Sequence, residues 1–360
     1  MSARQEGSIK LIELSGTAYE RGLQYGEEVK ESINRLVNYL WGLLKKKGLS
    51  KNQVLAYVRK HIPYIEEYSK EIAKELKGIA KGSGRMYEEI ILESMHEEIS
   101  AFTTSGCTAF AATGQATLKG ETYLGQNWDE SMEPDFYWNG NMPILRSVRP
   151  DSGPSYLAWA YPGQLAGAGL NANGIGLSWN SVQRLEFKVG VPTYLIIPEI
   201  LRQKTIGDAL GAIMKASRAG CFSFFLCDET EICNIEATPS DVDIYAPPKY
   251  LAHANHYILK KFYSKQDMSK IDEYWQASSF IRQERMNRLL HNNCGNIDLK
   301  VCQGFLADHV NYPDSICCHP NPEISDKGIT WNSWVMVPAK REWWIAHGNP
   351  CKNEFKKYEV

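Results

Sequence analysis

The stretch "FTTSGCTAFAATGQATLKGETYLGQNWDE", residues 102–130, sets a cysteine, Cys107, directly after Gly106 and at the head of a β-like run. The run that follows ends in Gly125-Gln126-Asn127-Trp128-Asp129. A free cysteine deep in a chain ordinarily behaves as a small buried hydrophobe. This one stands where a helical pattern stops and a strand pattern begins, and that position governs the reading of the whole chain.

Upstream of it the periodicity is helical. Val29, Ile33, Leu36, Val37, Leu40, Leu43 and Leu44 recur at steps of three and four, the stripe of an amphipathic helix. Lys45-Lys46-Lys47-Gly48 then supplies the cations and glycine that suit a helix C-terminus. A second stripe, Ile62, Ile65, Tyr68, Ile72, Leu76 and Ile79, ends at Gly82-Ser83-Gly84, and a third helix is expected over about 86–100. Downstream, short strands are expected at 107–112, 121–127, 155–161, 165–170 and 175–182. "GLNANGIGLSW" reads as two strands joined by an Asn-Gly turn, because Gly167, Gly169 and Gly174 miss the GxGxxG spacing of a phosphate loop. Helices near 193–218, strands near 222–227, 231–237 and 241–246, helices near 275–308 and two final strands, "SWVMVPA" and "REWWIAHG", complete the pattern. Helices, sheet, helices and sheet predict an α+β fold of helical layers on antiparallel sheets.

Composition narrows the function classes. Of 360 residues 43% are hydrophobic, and the formal net charge is −2, so no basic field invites nucleic acid or anionic lipid. No stretch approaches the roughly 18 apolar residues of a membrane span, and "MSARQEGSIKLIELSG" has no secretory pattern. A cytoplasmic chain that meets neither nucleic acid nor membrane is expected; nothing in the sequence fixes its oligomeric state. All nine cysteines lie at or after position 107, an odd number that argues against a disulfide framework. Cys221, Cys227 and Cys233 are expected on one face of two strands. Cys317-Cys318-His319 lacks a CxxC partner, so no metal is expected there.

Two nucleophile templates fail: there is no GxSxG elbow and no HExxH. A papain-like pairing of Cys107 with His253, His256, His309 or His319 stays open, since such partners need not be close in sequence. So does a non-catalytic binding protein. Another solution needs no histidine. Were the Gly106–Cys107 bond cut, Cys107 would own both a thiol and an α-amine, a base with a pKa of about 7.7–8.0.

Four stretches then carry a resemblance. They are Gly16-Thr17-Ala18-Tyr19-Glu20-Arg21-Gly22 with Gln24-Tyr25-Gly26; Glu75-Leu76-Lys77-Gly78-Ile79-Ala80 with Gly82-Ser83-Gly84; Gly106-Cys107-Thr108 with Gly125 to Asp129; and His253-Ala254-Asn255-His256. Together they resemble the isopenicillin N acyltransferase (acyl-CoA:6-aminopenicillanic acid acyltransferase) family of the N-terminal nucleophile hydrolase superfamily. The resemblance implies a four-layer αββα sandwich. It further implies a helical segment 1–106 released by self-cleavage at Gly106–Cys107 yet retained as a small subunit, and a catalytic domain 107–360. Cys107, Asp129 and Asn255 are the implied catalytic residues, Asn255 as an oxyanion donor, with Thr108 and Asn127 as substrate-binding candidates. The expected partner is a small acyl amide or an acyl-CoA, with no cofactor. The family's C-terminal serine–arginine pair has no assigned equivalent here, so a penicillin substrate is not carried over. Trp128, Trp138, Trp159, Tyr161 and Trp179 are read individually as core, although together they would suit an apolar acyl pocket.

Overall fold

The computed structural model describes residues 9–99, 106–131, 142–267, 269, 273–320 and 328–360. Its first element is a strand, β1 (Lys10–Gly16), followed by helices α1 (Ala18–Glu28), α2 (Lys30–Lys46), α3 (Lys51–Arg59), α4 (Ile62–Tyr68), α5 (Lys70–Ser83), α6 (Tyr87–Glu93) and α7 (His96–Ile99). The stripe on α2 is buried as its spacing predicts, with Ile33 and Val37 fully enclosed. The second stripe is broken into two helices at Ser69. That residue takes an extended backbone, its hydroxyl accepts from Ile72 N–H, and it donates to Glu199 Oε2 at 2.8 Å. A serine N-cap restarts a helix more favourably than it continues one.

The strands are β2 (Cys107–Gly114), β3 (Gly120–Ser131), β4 (Ile144–Pro150), β5 (Tyr156–Ala160), β6 (Ala168–Asn171), β7 (Gly176–Asn180), β8 (Phe222–Cys227), β9 (Ile232–Ala237), β10 (Val242–Tyr245), β11 (Tyr250–His253), β12 (Gly328–Val337), β13 (Glu342–His347) and β14 (Lys356–Glu359). The intervening helices are α8 (Thr193–Ile200), α9 (Ile206–Lys215), α10 (Lys260–Tyr263), α11 (Glu273–Asn292) and α12 (Leu299–Leu306). One sheet runs β1-β4-β5-β6-β7-β8-β9-β10 and the other β11-β2-β3-β12-β13-β14. Only the β1–β4 pairing is parallel among the described strands.

The two sheets pack face to face through β2, β3, β7, β8 and β9; α11 and α12 cover the outer face of the six-stranded sheet. The upstream helices, with α8 and α9, share the large core of the eight-stranded sheet. The layers are therefore α, β, β, α. Between the sheets lies a knot of buried indoles. Trp128 sits 4.7 Å from Trp159 and 5.6 Å from Trp179 by ring centroid, and Trp159 sits 5.6 Å from Trp334. Trp128, Trp159, Tyr161 and Trp179 thus form core, as their individual readings hold; Trp138 lies outside the described residues.

The segment before Cys107 is not a separate body. β1 pairs Leu14 with Val148 at the sheet edge. Arg21 on α1 and Arg146 on β4 both grip Glu75 of α5, all three buried, with Arg21 Nη2 2.9 Å from Glu75 Oε2. α1 and α5 touch backbone to backbone: a Cβ at Gly22 would lie 2.0 Å from Glu75 O, and one at Gly78 2.3 Å from Tyr19 O. Glycine is the residue that permits such an approach. The cysteine series departs from expectation. Cys233 pairs with Leu226 and Cys227 with Ile232, so register puts Cys227 and Cys233 on opposite faces rather than one. No described helix is long and apolar enough to cross a membrane.

Candidate active site

Cys107 opens β2 opposite Trp128 of β3. Side chains alternate along a strand, so Cys107 and Trp128 share the face between the sheets, and both belong to that core. Thr108, Asn127 and Asp129 take the other face, towards α11 and α12.

The peptide unit joining Gly106 to Cys107 is held at both ends. Asp129 N–H donates to Gly106 O at 2.8 Å, and Cys107 N–H donates to Asn255 Oδ1 at 3.0 Å. Asn255 Oδ1 also accepts from Arg282 Nη2 at 2.8 Å, while Asn255 Nδ2 donates to Ser181 O at 3.1 Å. Two donors on Oδ1 fix which way the amide points. The oxygen, not the NH2 group, faces the Cys107 nitrogen. The main chain of Asn255 is anchored in turn by Ser279 Oγ, 2.9 Å from its N–H.

Arg282, on α11, joins the parts and is a residue the sequence reading missed. Its Nη1 donates to Cys107 O at 2.6 Å and to Thr108 Oγ1 at 2.9 Å, and its Nε to Ser278 Oγ at 3.1 Å. Asp129 accepts from Thr330 Oγ1 at 2.6 Å, a second unanticipated contact. Burial raises the Asp129 carboxyl to about 7, opposed by the Arg282 charge and the Thr330 hydroxyl. Burial, followed by the charges of Asp129 and Glu130, pushes the Cys107 thiol well above its ordinary range, with Arg282 pulling the other way. Left alone, this sulfur stays protonated at neutral pH; it needs a base beside it to act.

Asn127 has a different task from Cys107's neighbours. Its Nδ2 donates to Leu306 O at 2.8 Å and Ile316 O at 2.7 Å, and Ser333 Oγ donates to its Oδ1. Every polar atom of the side chain is engaged in tying β3 to the chain around α12.

The histidines of a papain-like pairing are committed elsewhere. His253 uses both ring nitrogens, on Glu236 Oε1 at 3.0 Å and Ala254 O at 2.7 Å. His256 contacts Ser279 Oγ, and burial, aided by His253 and Arg282, lowers it to about 3. His309 and His319 face each other, Nε2 to Nε2, at 3.0 Å.

A fold of two facing sheets between helices, with a cysteine at the head of an inner strand, defines the class of protein. Residues 117–352 match the family model described as acyl-coenzyme A:6-aminopenicillanic acid acyl-transferase, and the chain belongs to that family. The match begins ten residues after Cys107 and so does not reach the Gly106–Cys107 junction. Among curated proteins the chain is similar to protein dcd1A of Dictyostelium discoideum, 24% identical over 242 residues, 58% of this chain and 54% of that one. It is similar also to protein dcd1B of the same organism, 25% identical over 241 residues, 58% of this chain and 46% of that one. The chain spans about half the length of these curated relatives. Solved structures similar to it include a mutant of conjugated bile acid hydrolase from Clostridium perfringens (TM-score 0.42, 13% identity, 71% of this chain and 97% of that one). Penicillin V acylase from Agrobacterium tumefaciens is another (TM-score 0.43, 12% identity, 67% and 83%).

Proposed function

We propose that the chain cuts itself between Gly106 and Cys107 and then works as a cysteine N-terminal nucleophile enzyme, hydrolysing an N-acyl amide or passing its acyl group to a small amine. The observation that carries this reading is the grip on one peptide unit: Gly106 O held by Asp129 N–H, Cys107 N–H held by Asn255.

Before cutting there is no α-amine, and Asp129, raised to about 7, is the base that fits. The thiol proton reaches that carboxylate, which hangs from the opposite face of the sheet, through a bridging water; the sulfur attacks the Gly106 carbonyl carbon; Asp129 N–H steadies the developing oxyanion. The carbon–nitrogen bond breaks as the nitrogen regains a proton, leaving a thioester between Gly106 and the Cys107 sulfur. Water hydrolyses it to a Gly106 carboxylate and a free Cys107 with both thiol and amine. In turnover the α-amine takes over as base, held by Asn255 Oδ1. The thiolate attacks the substrate carbonyl, the amine proton passes to the leaving nitrogen, and an acyl-cysteine remains for water or an amine to resolve. The second hydrogen of Asn255 Nδ2 donates to that oxyanion. Thr108 and Asn127 support the site in this scheme, one by holding Arg282 and the other by holding β3.

Acid-quenched enzyme, mixed with a series of small N-acyl amides and acyl thioesters and digested, should yield a Cys107 peptide heavier by the acyl group. Turnover with acyl label never found on that peptide would refute the acyl-cysteine.

A further inference from the structure

We propose that His309, Cys317, His319 and Cys351 bind one structural zinc ion. The four side chains come from three separate places: the start of the loop after α12, the segment Cys317–His319 further along it, and the turn following β13. Each offers one ligand atom, and the four atoms lie within 4.8 Å of one another.

Their spacing matches a tetrahedron of the right size. Zinc bonds to thiolate at about 2.3 Å and to imidazole at about 2.0–2.1 Å, which requires edges of about 3.8 Å between sulfurs, 3.5 Å between sulfur and nitrogen, and 3.3 Å between nitrogens. Cys317 Sγ and Cys351 Sγ stand 3.7 Å apart. Cys317 Sγ and Cys351 Sγ each stand 3.4 Å from His319 Nε2, and His309 Nε2 stands 3.0 Å from His319 Nε2. The widest pair, at no more than 4.8 Å, leaves a movement of about one ångström for a surface ligand to complete the shell. Two thiolates and two imidazoles select a borderline-soft divalent ion; a Rieske-type [2Fe–2S] cluster takes the same ligands but divides them between two irons, cysteines on one and histidines on the other, whereas here both sulfurs stand 3.4 Å from His319 Nε2, around a single centre. Asn349 Nδ2 lies 3.6 Å from Cys317 Sγ, the outer-shell N–H donor that a bound thiolate sulfur ordinarily takes. His309 and Cys351 are exposed, which gives the ion a way in.

The sequence pattern hid this set. Cys317 and His319 have no CxxC partner because the other two ligands stand eight residues upstream of Cys317, at His309, and 34 downstream, at Cys351. With all four positions filled by protein, the ion has none left for substrate, so it acts on the fold. What it braces is the back of the proposed active site. Ile316 O is held by Asn127; Cys318 N–H donates to Thr330 Oγ1 at 2.9 Å, and that hydroxyl donates to Asp129.

The test uses the full chain, purified under reducing conditions without chelator. Elemental analysis should find about one zinc per chain, and X-ray absorption at the zinc edge should find two sulfur and two nitrogen neighbours. Cys351→Ser and His309→Gln should each lower the zinc content at least fivefold and lower the unfolding temperature. Should either variant fail to fold, thiol modification of the wild-type chain by an organomercurial should release zinc to a chromophoric chelator in step with loss of two thiols. Zinc below about a tenth of an equivalent after reconstitution, with Cys317 and Cys351 recovered as a disulfide or reacting freely with thiol reagents, overturns the proposal. Copper or iron bound in zinc's place overturns the assignment of the ion.

Discussion

Replacing Arg282 by methionine removes a buried charge while keeping most of the volume. Arg282 is 2% exposed, and its guanidinium makes four hydrogen bonds, two of them to Cys107 O and Asn255 Oδ1. Hydrogen bonds to a charged group contribute about 1.5–3 kcal/mol each. Losing those two alone would cost about 3–6 kcal/mol, offset in part because methionine carries no charge out of water. A net loss of about 2–4 kcal/mol in urea unfolding is therefore expected. A second effect is electrostatic. The Arg282 charge holds down both the Asp129 carboxyl and the Cys107 thiol, so without it both rise, and the pH midpoint for self-cleavage moves up from about 7. Arg282→Lys keeps the charge but loses the fork that reaches two acceptors at once; it should lose stability while holding the midpoint near 7. A methionine variant as stable as wild type, cutting with an unchanged midpoint, would refute the role given to Arg282.

Asn255→Ala should slow turnover on the order of 10²–10³, the usual loss for one oxyanion donor, whereas Asn255→Asp keeps the oxygen that faces the Cys107 nitrogen but no donor; equal turnover by Asn255→Asp and wild type would remove the donor role. Asp129 titrates at about 7 instead of 3.8, so its contribution to stability is fully present below 3.8 and lost as pH rises through 7. Cleavage runs the opposite way, because only the carboxylate accepts the thiol proton: its rate should climb through pH 7, and Asp129→Asn should cut slowly with that inflection gone. Glu75→Ala strands Arg21 and Arg146 in the core, a loss of about 3–5 kcal/mol in denaturant unfolding; a loss under about 1 kcal/mol would show that other contacts hold the first 106 residues in place.

The parts of this architecture that local periodicity encodes could be read from the chain. The α2 stripe, the Asn-Gly hairpin of β6 and β7, and the break at Gly106–Cys107 are all patterns within a dozen or so residues. β1 and β4 were invisible for the opposite reason. Leu14 meets Val148 across more than a hundred residues, and neither short segment alternates strongly enough to declare itself. The glycines at 22 and 78 belong to stretches that carry the family resemblance, and only the contact of two helix backbones gives them a physical cause. Arg282 left a trace that went unread. Moving by fours along α11 from Leu290 towards its N-terminus passes through Met286, Arg282 and Ser278, all buried, so a polar pair sits on the core-facing stripe. Polar residues at such positions must have partners, and here the partners are the main chain and amide beside Cys107.

The central claim is that Cys107 becomes an N-terminus. Intact mass measurement of the purified chain under denaturing conditions tests it most directly. The predicted result is two fragments, 106 and 254 residues long, that copurify when native and separate when denatured, and a single uncut chain for Cys107→Ala. A wild-type chain that turns over acyl substrates while remaining one species of 360 residues would contradict it.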